Sequence, residues 1–155
     1  MICRGQSLPV PAGCNRVYLL ASAVDGDHKC EFRVGEVAVS RVVHDWSGFL
    51  GQADTRVWTY EPTHYLLDED QAPEMNFTGE IRPGFVKDAP LAWFSSHRHR
   101  RDGSNEAYAY SYLFGYSFEV SPGTRSITLP DNPKVRIFAA SAAHQVAPVR
   151  ALTLP

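Results

Sequence analysis

The chain has 155 residues, of which 44% are apolar and 21% charged, and its net charge is −2 at pH 7. This length suffices for one domain with its own core. The near-neutral charge argues against the broad basic surface that binds nucleic acid. No apolar run is long enough to span a bilayer, and the first twenty residues lack a signal-peptide layout. We predict one module over residues 1–155, excised or truncated from a larger protein.

Apolar and polar residues alternate with a period of two in the first third of the chain. Residues 16–24 are predicted to form a strand, and residues 25–27 (Asp-Gly-Asp) a hairpin turn. Two further strands follow at residues 30–34 and 37–43. The pattern predicts a three-stranded meander with no helical period.

Strand character returns irregularly after residue 50. Residues 57–60 predict a short strand, whereas residues 61–88 are rich in Pro, Asp and Glu and predict a long excursion. Residues 89–99 and 108–120 predict longer strands. In the last of these, alternation places Tyr108, Tyr110, Tyr112, Phe114, Tyr116 and Phe118 on one face.

The end of the chain alternates again, between turns at residues 122–123 and 130–133. Together these elements predict an all-β fold, an antiparallel jelly-roll β-sandwich with little or no helix. Trp93 lies between apolar neighbours and is expected in the core. The other predicted core residues are Leu19, Val37, Phe94, Leu113, Phe118, Ile127 and Ile137.

The three cysteines, Cys3, Cys14 and Cys30, are few, odd in number and not at metal-ligand spacing. We expect free thiols and no disulfide. Asp25 and Asp27 flank a glycine and could offer oxygen ligands to calcium, but the EF-hand spacing is absent and a turn is the favoured interpretation. We predict no cofactor, with a structural calcium ion as an alternative by analogy with sugar-binding jelly rolls.

Tryptophans beside loops are candidate sugar contacts, because a flat ring stacks on the apolar face of a pyranose. His97 and His99 share one face of an extended segment. With Asp102 they could be a metal site, but no third ligand is matched, so we predict no metal site and favour contacts to a sugar or a partner domain. The predicted ligand-binding residues are Trp46, Asp45, His44, Trp58, His97, His99, Asp102 and Asn105.

We expect the segment around residues 44–46 to form one rim with the loop at residues 97–105, because both interrupt strands. Catalytic residues are not predicted. Asp68, Glu69 and Asp70 are adjacent in a loop, whereas a glycosidase needs two carboxyls at a fixed separation. The Ser-Ser-His run at residues 95–97 lacks the glycines of a nucleophile elbow.

Six sequence blocks stand out together: residues 3–6 (CRGQ), 15–21 (NRVYLLA), 24–27 (VDGD), 45–52 (DWSGFLGQ), 92–99 (AWFSSHRH) and 110–114 (YSYLF). These blocks resemble the non-catalytic β-sandwich in the C-terminal part of bacterial family 38 glycoside hydrolases, the α-mannosidases. The similarity is a whole-pattern match without a catalytic motif. It implies a galactose-binding-domain-like jelly roll in a carbohydrate context, with the nucleophile and zinc site of that family in another domain.

The resemblance predicts a non-catalytic carbohydrate-binding or accessory module of a glycoside hydrolase. Its expected partners are a carbohydrate and the catalytic domain of the parent, which would be secreted or periplasmic; neither nucleic acid nor a membrane is expected. One alternative is a purely structural sandwich that braces a catalytic domain. The other is a small independent hydrolase.

Overall fold

The computed structural model describes residues 1–61 and 74–145, without the side chains of residues 55, 58–61 and 74–77. All regular elements in these ranges are β-strands. The chain divides into two compact units: Met1–Gly48 with the chain from Ala89 onward, and Phe49–Asp88. The strands are β1 Ser7–Pro9, β2 Arg16–Ala23, β3 His28–Val34, β4 Val37–Val43, β5 Gly51–Gln52, β6 Thr55–Glu61, β7 Glu74–Arg82, β8 Phe85–Val86, β9 Leu91–His99, β10 Asn105–Glu119, β11 Ser126–Thr128 and β12 Val135–Ala143.

The first unit is a sandwich of two four-stranded sheets. Sheet A has the order β12-β2-β10-β9 and sheet B the order β1-β11-β3-β4, and all their strand pairs are antiparallel. The rings of Phe32 in sheet B and Phe118 in sheet A lie 4.9 Å apart. The two sheets therefore share one core, which confirms the predicted all-β antiparallel sandwich.

The core consists of the inward-facing residues of both sheets. Leu19, Phe118, Ile127 and Ile137 are buried as predicted, whereas Leu113 is half-buried. The largest fully buried side chains are Phe32, Phe114, Phe118, Leu19, Ile127, Leu129, Val43 and Val135.

Three core predictions are wrong, and all three residues lie on edge strands. Val37 is 60% exposed at the turn end of β4, the edge of sheet B. Phe94 and Trp93 are 58% and 52% exposed on β9, the edge of sheet A. Alternation identifies the two faces of a strand, but an edge strand has less of either face covered.

The predicted meander is also wrong in one connection. β3 and β4 form the expected hairpin, in register from His28 opposite Val43 to Val34 opposite Val37. β2, however, lies in the other sheet, so the turn at Asp25 and Gly26 crosses between the sheets. Both residues have positive φ, 60° and 98°. A turn dipeptide favours a chain reversal but does not specify whether the next strand joins the same sheet.

The second unit contains two antiparallel strand pairs, β5 with β8 and β6 with β7. β7 and β8 fall within residues 61–88, so part of the predicted excursion is strand. The pairing of β6 with β7 shifts register between Arg56 and Trp58. Such an irregularity weakens the period-two signal that sequence analysis depends on.

Cys3, Cys14 and Cys30 are all free. Cys3 and Cys30 are buried, and burial raises the pKa of both thiols, that of Cys3 to about 11 with a further contribution from Cys30. Both groups are therefore neutral thiols that pack as small apolar side chains. Within the described ranges no helix is long and apolar enough to cross a membrane.

We predict that Phe118→Ala lowers the free energy of unfolding by about 3–5 kcal/mol, because it removes a ring from the contact between the sheets. Urea denaturation followed by far-UV circular dichroism measures the loss. Val37→Ala is the control, and its loss stays below about 0.5 kcal/mol because the side chain is mostly exposed. Equal losses for the two variants would contradict the assigned core.

Candidate functional site

The segment that follows β4 inserts between β2 and β10. The N–H of Ala23 donates to the His44 carbonyl (2.8 Å), and the N–H of Trp46 donates to the Ala23 carbonyl (3.0 Å). On the other side, the N–H of Tyr112 donates to the Trp46 carbonyl (2.7 Å). Direct pairing of β2 with β10 reaches only Phe114 opposite Ala21. Residues 44–46 therefore occupy the place where these two strands separate.

Two carboxylates hold the inserted segment. Asp27 Oδ1 accepts the N–H of Asp45 (2.8 Å), and Asp27 Oδ2 lies 3.1 Å from His44 Nδ1. Asp45 Oδ2 accepts the N–H of Gly26 (2.7 Å), while its Oδ1 accepts the N–H (2.7 Å) and hydroxyl (2.9 Å) of Ser47. The predicted turn at residues 25–27 and the segment at residues 44–47 thus clamp each other.

The clamp fixes the charge state of Asp45. Burial by itself raises the pKa of a carboxyl, since it disfavours the charged form. Here the hydrogen bonds from Ser47 and Gly26 outweigh burial, and the pKa of Asp45 lies below its usual value. Asp45 is therefore an ionised acceptor at neutral pH.

A row of aromatic rings extends along β10 from the buried core to the exposed part of the strand. The centroid of the buried His44 ring lies 5.2 Å from that of Phe114. The Phe114 centroid lies in turn 6.3 Å from that of Tyr112. Tyr110 stacks almost parallel to Tyr112 at 6.3 Å. The prediction that these alternating aromatics share a face therefore holds from Tyr110 inward. At Tyr108 the regular alternation is interrupted, because its φ is 61° and the pairing of β10 with β9 shifts register in this stretch.

The exposed end of this row lies among three neighbouring segments. Phe94 on β9 is directly opposite Tyr112, so the two side chains share a face. On the opposite side of β10, Trp46 is hydrogen-bonded to Tyr112 through its carbonyl and is 42% exposed. We call the rings of Phe94, Tyr110 and Tyr112, with the adjacent residue Trp46, whose backbone is bonded to Tyr112, the aromatic ledge. Phe94 was predicted in the core and not as a site residue, because its apolar neighbours resemble those of a core residue.

The predicted site residues fall into different environments. His44 and Asp45 are buried and belong to the clamp, which gives them a structural role. Trp46 is exposed on the aromatic ledge. Trp58 lies in β6 of the second unit, and its side chain is outside the described residues, as are Asp68, Glu69 and Asp70.

His97, His99, Asp102 and Asn105 lie at the far end of the β9–β10 hairpin. Asp102 Oδ1 accepts the N–H (2.9 Å) and hydroxyl (2.7 Å) of Ser104, which closes the turn. Asn105 is opposite His99, five residues beyond Phe94, or about 16 Å of extended strand. The single rim of residues 44–46 with residues 97–105 stays a prediction.

A cavity of about 390 Å³ at one end of the sandwich was not signalled by the sequence. His144 Nδ1 is hydrogen-bonded to the Gly13 carbonyl there (2.9 Å). Four of the eleven lining residues are Pro or Gly of turns, a pattern that indicates chain reversal and nothing more. The lining residues are Pro11, Ala12, Gly13, Cys14, Asn15, Val120, Pro122, Gly123, Thr124, Arg125 and His144.

Asp45→Asn tests the clamp through its pH dependence. A lowered folded-state pKa stabilises the fold above the unfolded-state pKa, and that stability is lost as the pH falls through the folded-state value. We therefore expect Asp45→Asn to be less stable than the wild type at pH 7, and the difference to shrink as the pH falls below the ordinary carboxyl pKa of about 3.9.

Urea midpoints at pH 7 and pH 3 make the comparison. Asp25→Asn is the control, because Asp25 is exposed and its ion pair with Lys134 (3.3 Å) is open to solvent. A constant difference between Asp45→Asn and the wild type at both pH values would contradict the charged clamp.

A known family of β-sandwich domains matches this chain. Residues 1–146 match the AziU2-like beta-sandwich domain, in agreement with the two antiparallel sheets. No curated protein matches the chain. The match covers well over half of the sequence, and the chain belongs to the family of AziU2-like beta-sandwich domains.

Proposed function

We propose that the chain is a non-catalytic binding module whose aromatic ledge holds a carbohydrate. The observation that carries the proposal is the exposure of several rings on three adjacent segments at the end of a packed sandwich. Large aromatic side chains left in water on neighbouring strands mark an interaction surface. Adjacent segments of a sheet lie about 4.8 Å apart, so the ledge spans the width of one or two sugar rings.

The ledge is held in place before any ligand arrives. The buried Phe114 supports Tyr112 from inside, and Tyr112 in turn stacks on Tyr110. Trp46 is fixed through its backbone on both sides, to Ala23 and to Tyr112. Rings that are already ordered lose little conformational entropy on binding. Tyrosine hydroxyls at the edge of such a surface suit the hydroxyls of a sugar.

The sequence resemblance to the accessory sandwich of family 38 glycoside hydrolases supports a carbohydrate as the ligand. Under this proposal the module stands beside the catalytic domain of a parent hydrolase, which supplies the reacting carboxylates. The module itself binds and positions glycan. Ser95, in the Ser-Ser-His run, donates its hydroxyl to the His97 carbonyl (2.6 Å), which suits a strand side chain better than a nucleophile.

A second candidate function, bracing of a partner domain, is favoured by a different set of exposed rings. Phe138 is 58% exposed at the β12 bulge between Ile137 and Ala139. Trp93 is opposite Leu113 on the face of sheet A that alternates with the ledge. A bracing module would bury these residues against protein and leave the ledge without a ligand.

We expect Phe94→Ala and Tyr110→Ala each to weaken glycan binding about tenfold. Each loses a stacking surface worth on the order of 1–3 kcal/mol. A glycan array with the intact chain identifies the ligand, and affinity electrophoresis in a gel containing it measures the variants.

Phe138→Ala is the matched control for Phe94→Ala, since both side chains are 58% exposed. The control should keep wild-type affinity. Loss of binding in Phe138→Ala with retention in Phe94→Ala would move the ligand to the other face. An array with no bound glycan would refute carbohydrate binding and favour bracing.

Trp46→Ala should weaken the same interaction about tenfold or more. Its melting temperature should stay close to that of the wild type, because Trp46 is 42% exposed and the backbone hydrogen bonds of this residue do not need the ring. Differential scanning fluorimetry reports the stability. Full glycan affinity in the folded variant would remove Trp46 from the ledge.

A further inference from the structure

Two imidazoles lie side by side near the tip of the β9–β10 hairpin. His97 and His99 are two residues apart in β9, and their ring centroids are 5.4 Å apart with the planes at 79°. Both side chains are exposed. Alternation along the strand explains the arrangement, because residues i and i+2 point to the same side. It places Arg98 on the opposite side.

This spacing fits a shared metal ion. A Zn–N bond is about 2.0–2.1 Å long, and the ring centroid lies roughly 1.1 Å behind the nitrogen, so each centroid would be about 3.2 Å from the metal. Two such rings at a tetrahedral angle have centroids about 5.2 Å apart. The observed 5.4 Å differs from this value by less than a rotamer adjustment supplies.

The residues across the strand pair leave room above the two rings. His97 is opposite Ala107, whose methyl group is small, and His99 is opposite Asn105, whose amide oxygen can accept or ligate. In the described ranges, no group of three or more His, Cys, Asp or Glu is arranged to hold a metal. A metal ion held here would therefore have two imidazole ligands from the protein, and its remaining coordination positions would be open.

The charged side chains of Arg98, Arg100 and Glu106 lie on the side of the hairpin away from the two histidines. Arg98 donates to both oxygens of Glu106 (2.6 and 3.1 Å), and Arg100 lies 3.9 Å from the same carboxylate. Arg98 and Glu106 are also directly opposite in the strand register. The pair of Arg98 and Glu106 carries no net charge, and Arg100 leaves one positive charge on the side of the hairpin away from the histidines. The same pair fixes the strand that carries both rings.

We propose that His97 and His99 form a two-imidazole chelate for a borderline divalent transition-metal ion, represented by Zn²⁺. Imidazole nitrogen is a preferred ligand of such ions. Once one imidazole binds, the second is present at a high effective concentration, which is the source of the chelate affinity. The remaining positions are taken by water or by donors from another molecule. The proposal is independent of carbohydrate binding at the aromatic ledge.

Isothermal titration calorimetry with zinc chloride tests the site. The protein is the full chain without a histidine tag, with the thiols kept reduced by a phosphine that does not bind zinc. We expect one equivalent of Zn²⁺ with a dissociation constant on the order of 10⁻⁵ M. His97→Ala and His99→Ala should each weaken binding at least tenfold, and the double variant should show no saturable site.

His144→Ala is the control, because it removes an imidazole elsewhere on the first unit and should leave the affinity unchanged. Histidine ring proton NMR adds a direct readout: the ring signals absent from His97→Ala and His99→Ala should be the ones that shift with zinc. Absence of a saturable site in the wild type would overturn the proposal. So would equal zinc affinity in the wild type and the folded double variant, or loss of zinc binding in His144→Ala.

Discussion

The arrangement of this sandwich depends on the hydrogen bonds made by the backbone N–H and carbonyl of Ala23, the last residue of β2. Ala23 is fully buried, and an unpaired N–H or carbonyl at such a position costs several kcal/mol. β10 has already diverged at this point, since its pairing with β2 stops at Phe114. The segment after β4 supplies both missing partners, through the His44 carbonyl and the Trp46 N–H. A connection between sheets thereby becomes part of sheet A.

The insertion explains why the aromatic row continues beyond the core. Tyr112 would lose a strand neighbour where β2 ends, but its N–H donates to Trp46 instead. β10 therefore keeps partners on both sides for one further step, and β9 stays paired opposite. Phe94 and Tyr110 project from this reinforced end rather than from a loose hairpin. The carboxylates of Asp27 and Asp45 support the aromatic ledge indirectly, because their hydrogen bonds hold the backbone segment that carries Trp46.

The predictability of these features from sequence follows the range of the interactions. Period-two alternation is local, and it correctly predicted residues 37–43 as a strand and placed Phe118 and Ile127 in the core. Edge position is a property of the whole sheet, and for that reason Val37 was misassigned. The His44–Asp27 contact links residues 17 apart in the chain through a turn whose sheet assignment no local pattern encodes. The aspartates of that turn were visible as turn formers, but their clamping role needed the structure.

The two halves of the edge strand β9 carry different kinds of side chain. An apolar edge strand in water is a template for pairing with another chain, and charged side chains are a common means of blunting it. The half of β9 near the hairpin tip carries Arg98 and two histidines, which discourage such pairing. The half near the sandwich keeps Trp93 and Phe94 exposed without this protection. Exposed rings that are left unprotected on an edge cost solubility, so their presence is best explained by a contact that they make. Because alternation and register assign the histidine pair and Phe94 to different stretches of the strand, a substitution in one half leaves the other half's backbone pairing intact.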